Sequence, residues 1–266
     1  MVRPSIVPVA ATLLLLASLL AAQTPPAATQ TPPATEPVAL TPERRGDIYM
    51  ARKMYREAIE TYSNVLKGCQ QRVKEADRPQ CAVVWNKLGI AYHQLAQLDT
   101  AKKHYERALK LNPKYHEAIN NIGTVHYAKK SYRRAVGQYQ KALKLAPKSA
   151  SIYSNLGTAY FSRKQYENAA KAFQEALALD PEVFEHRSTY GVMLEERNVE
   201  ERAKYHYYLA KVYAQAGAND RALQYIRKAL EEGFKEKKKF LEEPEFAPLR
   251  ELAEFKELMA LEPRVL

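Results

Sequence analysis

The residues best suited to chemistry in this sequence are histidines and carboxylates, and their spacing matches no catalytic or metal-binding pattern. The closest string is His116-Glu117-Ala118-Ile119-Asn120. A zinc-protease helix needs a second histidine four residues after the first, and Asn120 takes that position. The six histidines are dispersed, and the carboxylates of the last third alternate with cations, as on solvated helix faces. We therefore predict no enzyme activity, no cofactor, no metal and no small-molecule substrate.

Positive charge is concentrated in one part of the chain. The sequence has 41 Lys and Arg against 30 Asp and Glu, and residues 82–149 alone have 13 against 3. Six of these cations form two sets spaced 34 residues apart, and we call them the basic ridge: Arg107, Lys110, Lys114, Lys141, Lys144 and Lys148. Such a ridge either keeps the surface solvated or docks on an anionic membrane or polymer. We do not expect nucleic acid as the partner.

The elements that carry these residues repeat every 34 residues. Gly89, Gly123 and Gly157 are spaced by this period, and each follows Leu or Ile. The same spacing relates further positions: Ala101, Ala135 and Ala169; Tyr105, Tyr139 and Phe173; Ala108, Ala142 and Ala176; Pro113, Pro147 and Pro181. Apolar residues recur at helical spacing in two segments of each unit. Small residues let two helices approach, aromatic rings fill the remaining space, and proline ends the second helix. Such units are stable only when they stack on one another.

These residues resemble the tetratricopeptide repeat family, whose unit has Trp, Leu-Gly, Tyr, Ala, Phe and Pro in this order. The unit 82–115 matches with Trp85, Leu88-Gly89 and Tyr92, and the unit 150–183 with Tyr153, Leu156-Gly157 and Tyr160. The unit 116–149 departs at His126, where the family has tyrosine. The resemblance implies an all-α, right-handed superhelical solenoid of antiparallel helix pairs.

Weaker units flank the three clear ones. Residues 39–81 form a first unit with an extended end, and residues 203–236 form a last unit in which Ala210 replaces the usual glycine. An insertion at 184–202 separates the last unit from the others and is expected to be partly irregular. Residues 237–266 are expected to form helices that cap the final apolar face, through Phe240, Leu241, Phe246, Leu249, Phe255 and Leu258.

The resemblance also implies a ligand site on the first helix of each unit, which lines the concave surface in this family. The side chains at the family's ligand-facing places are amides, hydroxyls, rings and a few lysines, suited to hydrogen-bonding an extended peptide. They are Asn86, Lys87, Asn120, Asn121, Thr124, Tyr127, Ser154, Asn155, Thr158, Tyr207, Tyr208 and Lys211. The family's carboxylate-binding form places Lys and Arg beside Asn, and here Lys87 is one candidate cation.

The first 40 residues predict export rather than structure. Arg3, an apolar run over residues 6–20 and the small pair Ala21-Ala22 have the order of a secretory signal, so residues 1–22 are predicted to be a signal peptide cleaved after Ala22. An uncleaved N-terminal membrane anchor is the alternative. Residues 23–40 are rich in Pro, Thr and Ala and are expected to form a disordered linker. The mature chain is then periplasmic or secreted.

Export places the two cysteines in an oxidising compartment, where an even pair usually bonds. If the second helix ends at Gly68, a bond between Cys69 and Cys81 can close the loop that follows. If that helix runs on toward Ala76, the bond cannot reach. We favour the bond.

Two functions remain after these arguments. The first is a non-enzymatic scaffold of the cell envelope that binds a segment of a partner protein in the groove. The second is a binder of an anionic membrane surface or polymer through the basic ridge. Steep weakening by salt is expected only for the second.

Overall fold

The protein is a stack of antiparallel helix pairs. The computed structural model describes residues 40–70, 74–185 and 199–260, and residues 40–266 cluster as one compact unit. Within the described residues all regular structure is helical, and the predicted all-α fold is confirmed. The helices are α1 Pro42–Ala51, α2 Tyr55–Gln70, α3 Arg78–Gln94, α4 Leu98–Leu111, α5 His116–Ala128, α6 Tyr132–Leu145, α7 Ala150–Ser162, α8 Tyr166–Leu179, α9 Val199–Gln215, α10 Asn219–Glu231, α11 Lys238–Glu242 and α12 Ala253–Ala260.

Each of the first four pairs is held by a glycine of the first helix against a ring of the second. The pairs are Gly46 with Tyr62, Gly89 with Tyr105, Gly123 with Tyr139 and Gly157 with Phe173. A Cβ atom added at any of these glycines would lie 2.4 or 2.5 Å from the nearest ring carbon. All four rings are buried. The glycines are therefore required by the close approach of the ring.

The fifth pair has different residues at the same two contact positions. Ala210 takes the glycine position of α9, and Ile226 takes the ring position of α10. Both side chains are fully buried. Since Ile226 is narrower than a phenol ring, the methyl group of Ala210 fits between the helices. The two positions change together because they share one contact.

The turn inside each pair is the same in all five. Its central residue has a positive φ, and four of these residues carry a side chain: Lys53, Ala96, Lys130 and Lys164, with Gly217 as the fifth. In the second pair, the amides of Ala96 and Gln97 donate to the carbonyl oxygens of His93 and Tyr92 at 2.9 Å each. This left-handed end closes the first helix and reverses the chain.

The first unit ends differently from the prediction. Helix α2 does not stop at Gly68 but continues to Gln70, and α3 begins at Arg78, four residues before the predicted start of the next unit. The junction is nevertheless short, because a 3₁₀ turn at Glu75–Asp77 leads directly into α3. Cys81 thus lies in the first turns of α3, and its Cα atom is 5.9 Å from that of Cys69.

The C-terminal part closes the stack. Helix α9 begins at Val199, inside the predicted insertion, and residues 186–198 lie outside the described part. After α10, helix α11, a 3₁₀ segment at Pro244–Leu249 and helix α12 cover α9 and α10 with five buried side chains: Phe240, Phe246, Leu249, Phe255 and Leu258. Leu241 was expected to join them, but it is 49% exposed. It follows Phe240 directly in α11 and therefore projects from a different side of the helix.

Changing Gly123 to Ala tests this packing. The new Cβ would lie 2.5 Å from the Tyr139 ring, so the ring or the helices must move. We expect the free energy of unfolding to fall by about 1–3 kcal/mol, as for other overpacked cores, measured by urea denaturation.

Gly137 provides the matched control. It lies inside α6, is exposed, and has no atom within 4 Å of the position that a Cβ would take. Gly137→Ala should raise stability by about 0.5–1 kcal/mol through the better helix propensity of alanine. A Gly123→Ala variant as stable as the parent would contradict the packing described.

Candidate partner-binding surface

Seven polar side chains form a continuous row across the first helices α3, α5 and α7. These helices are neighbours in the stack because the glycine contacts hold each against its own second helix. All seven are at most 3% exposed: Asn86, Asn120, Asn121, Thr124, Ser154, Asn155 and Thr158. A buried row of amides and hydroxyls is costly unless its members are hydrogen-bonded.

The asparagines bond to one another from helix to helix. Asn155 donates from Nδ2 to Oδ1 of Asn120 at 3.1 Å, which links α7 to α5. Asn120 donates to Asn121 at 3.3 Å. Asn121 donates to Oδ1 of Asn86 at 2.9 Å, which links α5 to α3. We call these four residues the asparagine chain; it connects three successive units through amide groups alone.

Two hydroxyls of the row donate to carbonyl oxygens of their own helices. Thr124 donates to the carbonyl oxygen of Asn121 at 2.8 Å, and Thr158 donates to that of Ser154 at 3.0 Å. The hydroxyls of Tyr127 and Ser162 are 2.7 Å apart and add a second link between α5 and α7. Hydrogen bonds of the row and of the side chains beside it therefore link neighbouring first helices.

This burial corrects the expectation that the seven side chains line an open groove. Truncating Asn121 would leave the buried Oδ1 of Asn86 without its donor, which costs stability as well as any binding. The bonded pairs Asn86–Asn121 and Asn120–Asn155 are both 35 residues apart, one more than the repeat. That offset joins adjacent places of neighbouring units.

Lys87 is already paired within the chain. Its Nζ lies 2.7 Å from Oε1 of Glu43 and 2.8 Å from Oδ2 of Asp47, both on α1. The same Asp47 accepts a hydrogen bond from the hydroxyl of Tyr62 at 2.7 Å. Burial alone would lower the pKa of Lys87, but the hydrogen bonds to Asp47 and Glu43 raise it overall. Lys87 is thus held as a cation by α1, and this pairing does not favour recognition of a partner's terminal carboxylate.

Two predicted groove residues on α9 are bound in the same way by the C-terminal segment. The hydroxyl of Tyr207 donates to the carboxylate of Glu243 at 2.5 Å. Lys211 lies 3.1 Å from Glu243 and 3.2 Å from Glu245. Tyr207 is buried, and Lys211 is partly exposed. These two predicted groove residues therefore bind the chain's own cap.

Several polar and aromatic side chains beside the row stay partly exposed. Tyr127 on α5 and Tyr208 on α9 are among the predicted groove residues. Glu117 and Ser151, at the start of α5 and α7, lie at another ligand-facing place of their units. Tyr208 stacks on Tyr166, with ring centroids 5.0 Å apart. These four residues are the reachable edge of the polar row.

The six cations of the basic ridge are all exposed, on or just after α4 and α6. The structure therefore separates them from the first helices that carry the polar row.

In the described part of the chain, no group of three or more His, Cys, Asp or Glu could hold a metal ion. Within the same ranges, no helix is both long and apolar enough to cross a membrane.

The chain belongs to the tetratricopeptide repeat family. Two sequence profiles, each described as Tetratricopeptide repeat, match residues 37–114 and residues 86–150, 120–183 and 194–234. Proteins of this family typically act as non-enzymatic scaffolds for other proteins, and this protein is accordingly a protein-interaction scaffold.

The curated relatives share only part of their length with this chain. The uncharacterized protein ycf37 of Guillardia theta is 32% identical over 81 residues, which are 30% of this chain and 43% of that protein. Its namesake in Pyropia yezoensis is 31% identical over 87 residues, 33% of this chain and 49% of that protein. The chain thus spans less than half the length of these relatives.

Solved structures show a similar fold. TTC0263, a thermophilic tetratricopeptide repeat protein of Thermus thermophilus, superposes with a TM-score of 0.50 at 19% identity, covering 73% of this chain and 91% of that one. MamA from Desulfovibrio magneticus gives a TM-score of 0.47 at 23% identity, covering 71% and 92%. The Thermus likeness supports the fold alone.

Proposed function

We propose that this protein is a non-enzymatic scaffold of the cell envelope that holds an extended segment of a partner protein along α3, α5 and α7. The observation that carries the proposal is the partly exposed edge of the polar row. Packing alone would be served by apolar side chains, as the buried Ala101, Ala135 and Ala169 serve the second helices. The amides and hydroxyls of the row are buried and bonded to one another, so a segment would reach the partly exposed side chains beside them: Glu117, Tyr127, Ser151 and Tyr208.

The charges beside the row indicate what kind of segment would bind. Lys87 is paired with Glu43 and Asp47, and Lys211 is paired with Glu243 and Glu245. Lys204 donates to the hydroxyl of Tyr166 at 2.9 Å, and its Nζ lies 4.2 Å from the centre of that ring. The cations near the row are thus engaged by the chain itself. A neutral backbone, bound by hydrogen bonds and by the rings at the edge, fits this surface better than an acidic chain end.

The envelope location rests on the sequence of residues 1–22, which lie outside the described part of the structure. The cysteine positions support it. A Cα separation of 5.9 Å between Cys69 and Cys81 is ordinary for a disulfide, and such bonds persist in oxidising compartments. The bond would fasten α2 to α3, the junction that lacks a regular repeat.

We expect the non-reduced protein to contain no free thiol, because the two cysteines are within bonding reach. Thiol labelling followed by intact-mass spectrometry checks this. Reduction should lower the free energy of unfolding by roughly 3 kcal/mol, as expected for closing a loop of this size. Two labelled cysteines in protein purified from the envelope would contradict both the bond and the location.

Blocking the edge of the row tests the proposed function. Glu117→Trp combined with Ser151→Trp adds bulk at partly exposed places of α5 and α7 and leaves the asparagine chain intact. We expect this variant to capture at least about tenfold less of the partner from the protein's own envelope fraction than the parent does, a loss of about 1.4 kcal/mol or more. Capture by the parent should persist at high salt, because the cations beside the row are already paired.

The matched control places the same bulk on a second helix. Lys171 and Glu175 are exposed on α8, so Lys171→Trp combined with Glu175→Trp should capture the partner as the parent does. Both double variants should melt within a few degrees of the parent. Equal capture by all three proteins would refute binding along the first helices.

A further inference from the structure

Residues 82–149 contain far more cations than the described part of the chain neutralises. Two of their three carboxylates pair with lysines, since Asp99 binds Lys129 and Glu106 lies 2.6 Å from Lys102; the third, Glu117, lies 3.0 Å from Nδ1 of His116. Lys87 pairs with α1. The other ten cations of residues 82–149 have no ion pair with any residue of 40–70, 74–185 or 199–260. They are Lys103, Arg107, Lys110, Lys114, Lys130, Arg133, Arg134, Lys141, Lys144 and Lys148.

All ten cations are exposed, and six of them follow the repeat. Arg107, Lys110 and Lys114 on and after α4 occupy the same places as Lys141, Lys144 and Lys148 on and after α6. Stacked units present equivalent places side by side, so the two sets extend one surface. Positive charges of these two units also act on two partly buried histidines. The pKa of His126 is lowered first by burial and then by Lys102 and Arg134, and burial with the nearby Arg107 lowers the pKa of His104 to about 4.

Helix stability does not explain these cations. Lys110 and Lys144 lie in the last turns of α4 and α6, where a positive charge favours the helix dipole. Helix α8 has the same 14-residue length and no basic residue in its last turn. The equivalent places of its unit hold Glu175, Ala178 and Glu182. The fold therefore forms this helix without the charges, and their concentration in two units needs another reason.

The surroundings of the cations favour a membrane over a nucleic acid. Leu145, next to Lys144, is 39% exposed, as is Leu179 at the equivalent place of α8, and beside cations such an apolar side chain can enter the headgroup boundary. Along α4 and α6 the exposed positions carry no aromatic ring on which bases could stack. Seven of the ten cations are lysines, and flexible ammonium groups spread over two helices and their turns suit a plane of phosphate groups better than one defined strand.

We propose that the surface formed by α4, α6 and the turns after them docks this protein on an anionic phospholipid membrane. The polar row belongs to other helices, so membrane docking and partner binding use separate surfaces. The docked protein would hold its partner at the membrane. This proposal stands independently of the proposed groove function.

The test is co-sedimentation of residues 23–266, which omit the predicted signal but keep the whole compact unit, with vesicles of phosphatidylcholine containing phosphatidylglycerol. The variant changes Lys110, Lys114, Lys141 and Lys144 to Gln and spares Arg107, whose guanidinium lies over the Trp85 ring at 4.7 Å. We expect its partition coefficient to fall at least about tenfold at low salt. Pure phosphatidylcholine vesicles, or high salt with the mixed vesicles, should abolish binding by the parent.

The control variant changes Arg45, Arg52, Arg56 and Lys67 to Gln, which removes the same charge from exposed sites on α1, α2 and their turn. It should bind the mixed vesicles nearly as the parent does. Failure of the parent to bind at low salt, equal losses in the two variants, or binding to double-stranded DNA in preference to vesicles would overturn the proposal. Circular dichroism at the assay temperature confirms that both variants are folded.

Discussion

The structure depends on one close contact, repeated along the chain, between a glycine on a first helix and an aromatic ring on the second. An added Cβ atom would lie within 2.5 Å of the ring at all four glycines, so the contact fixes how near the two helices lie. Because the separation is the same in successive pairs, α2, α4 and α6 each pack against the first helix of the next pair, and α5 contacts both α3 and α7. The last pair has Ala210 and Ile226 at these two positions, and both are buried. The combined size of the two side chains therefore matters more than the identity of either residue.

This arrangement produces two surfaces of different chemistry from one repeat. The first helices carry the polar row, where amides bond across units and nearby lysines are paired with glutamate, aspartate or tyrosine. The second helices carry the cations that have no such pairing in the described residues. Salt should weaken a surface bound by charge and leave a partner bound by neutral hydrogen bonds nearly unaffected, so the two roles can be separated by experiment.

The sequence was sufficient to predict the contact between the two helices of a pair and the ends of the second helices. Gly89, Tyr105 and Pro113 recur at a fixed spacing, and each has a local physical reason that a single unit already contains. The environment of the polar row was not predictable in this way. The burial of Asn121 and the pairing of Lys87 with Glu43 depend on contacts between units, which the repeat pattern of one unit does not encode. Gly68 failed as a helix end because α2 continues for two more residues, with nothing near the glycine to require a turn.

The central claim is that the partner lies along the first helices, and site-specific photo-crosslinking tests it most directly. A photoreactive phenylalanine in place of Tyr127 or Tyr208 puts the probe on partly exposed rings beside the polar row. The same residue at Gln140 or Lys171 puts it on exposed places of α6 and α8. The account predicts crosslinks from Tyr127 and Tyr208 to one segment of one partner, and none from the other two. Crosslinks to that partner only from Gln140 or Lys171 would contradict it.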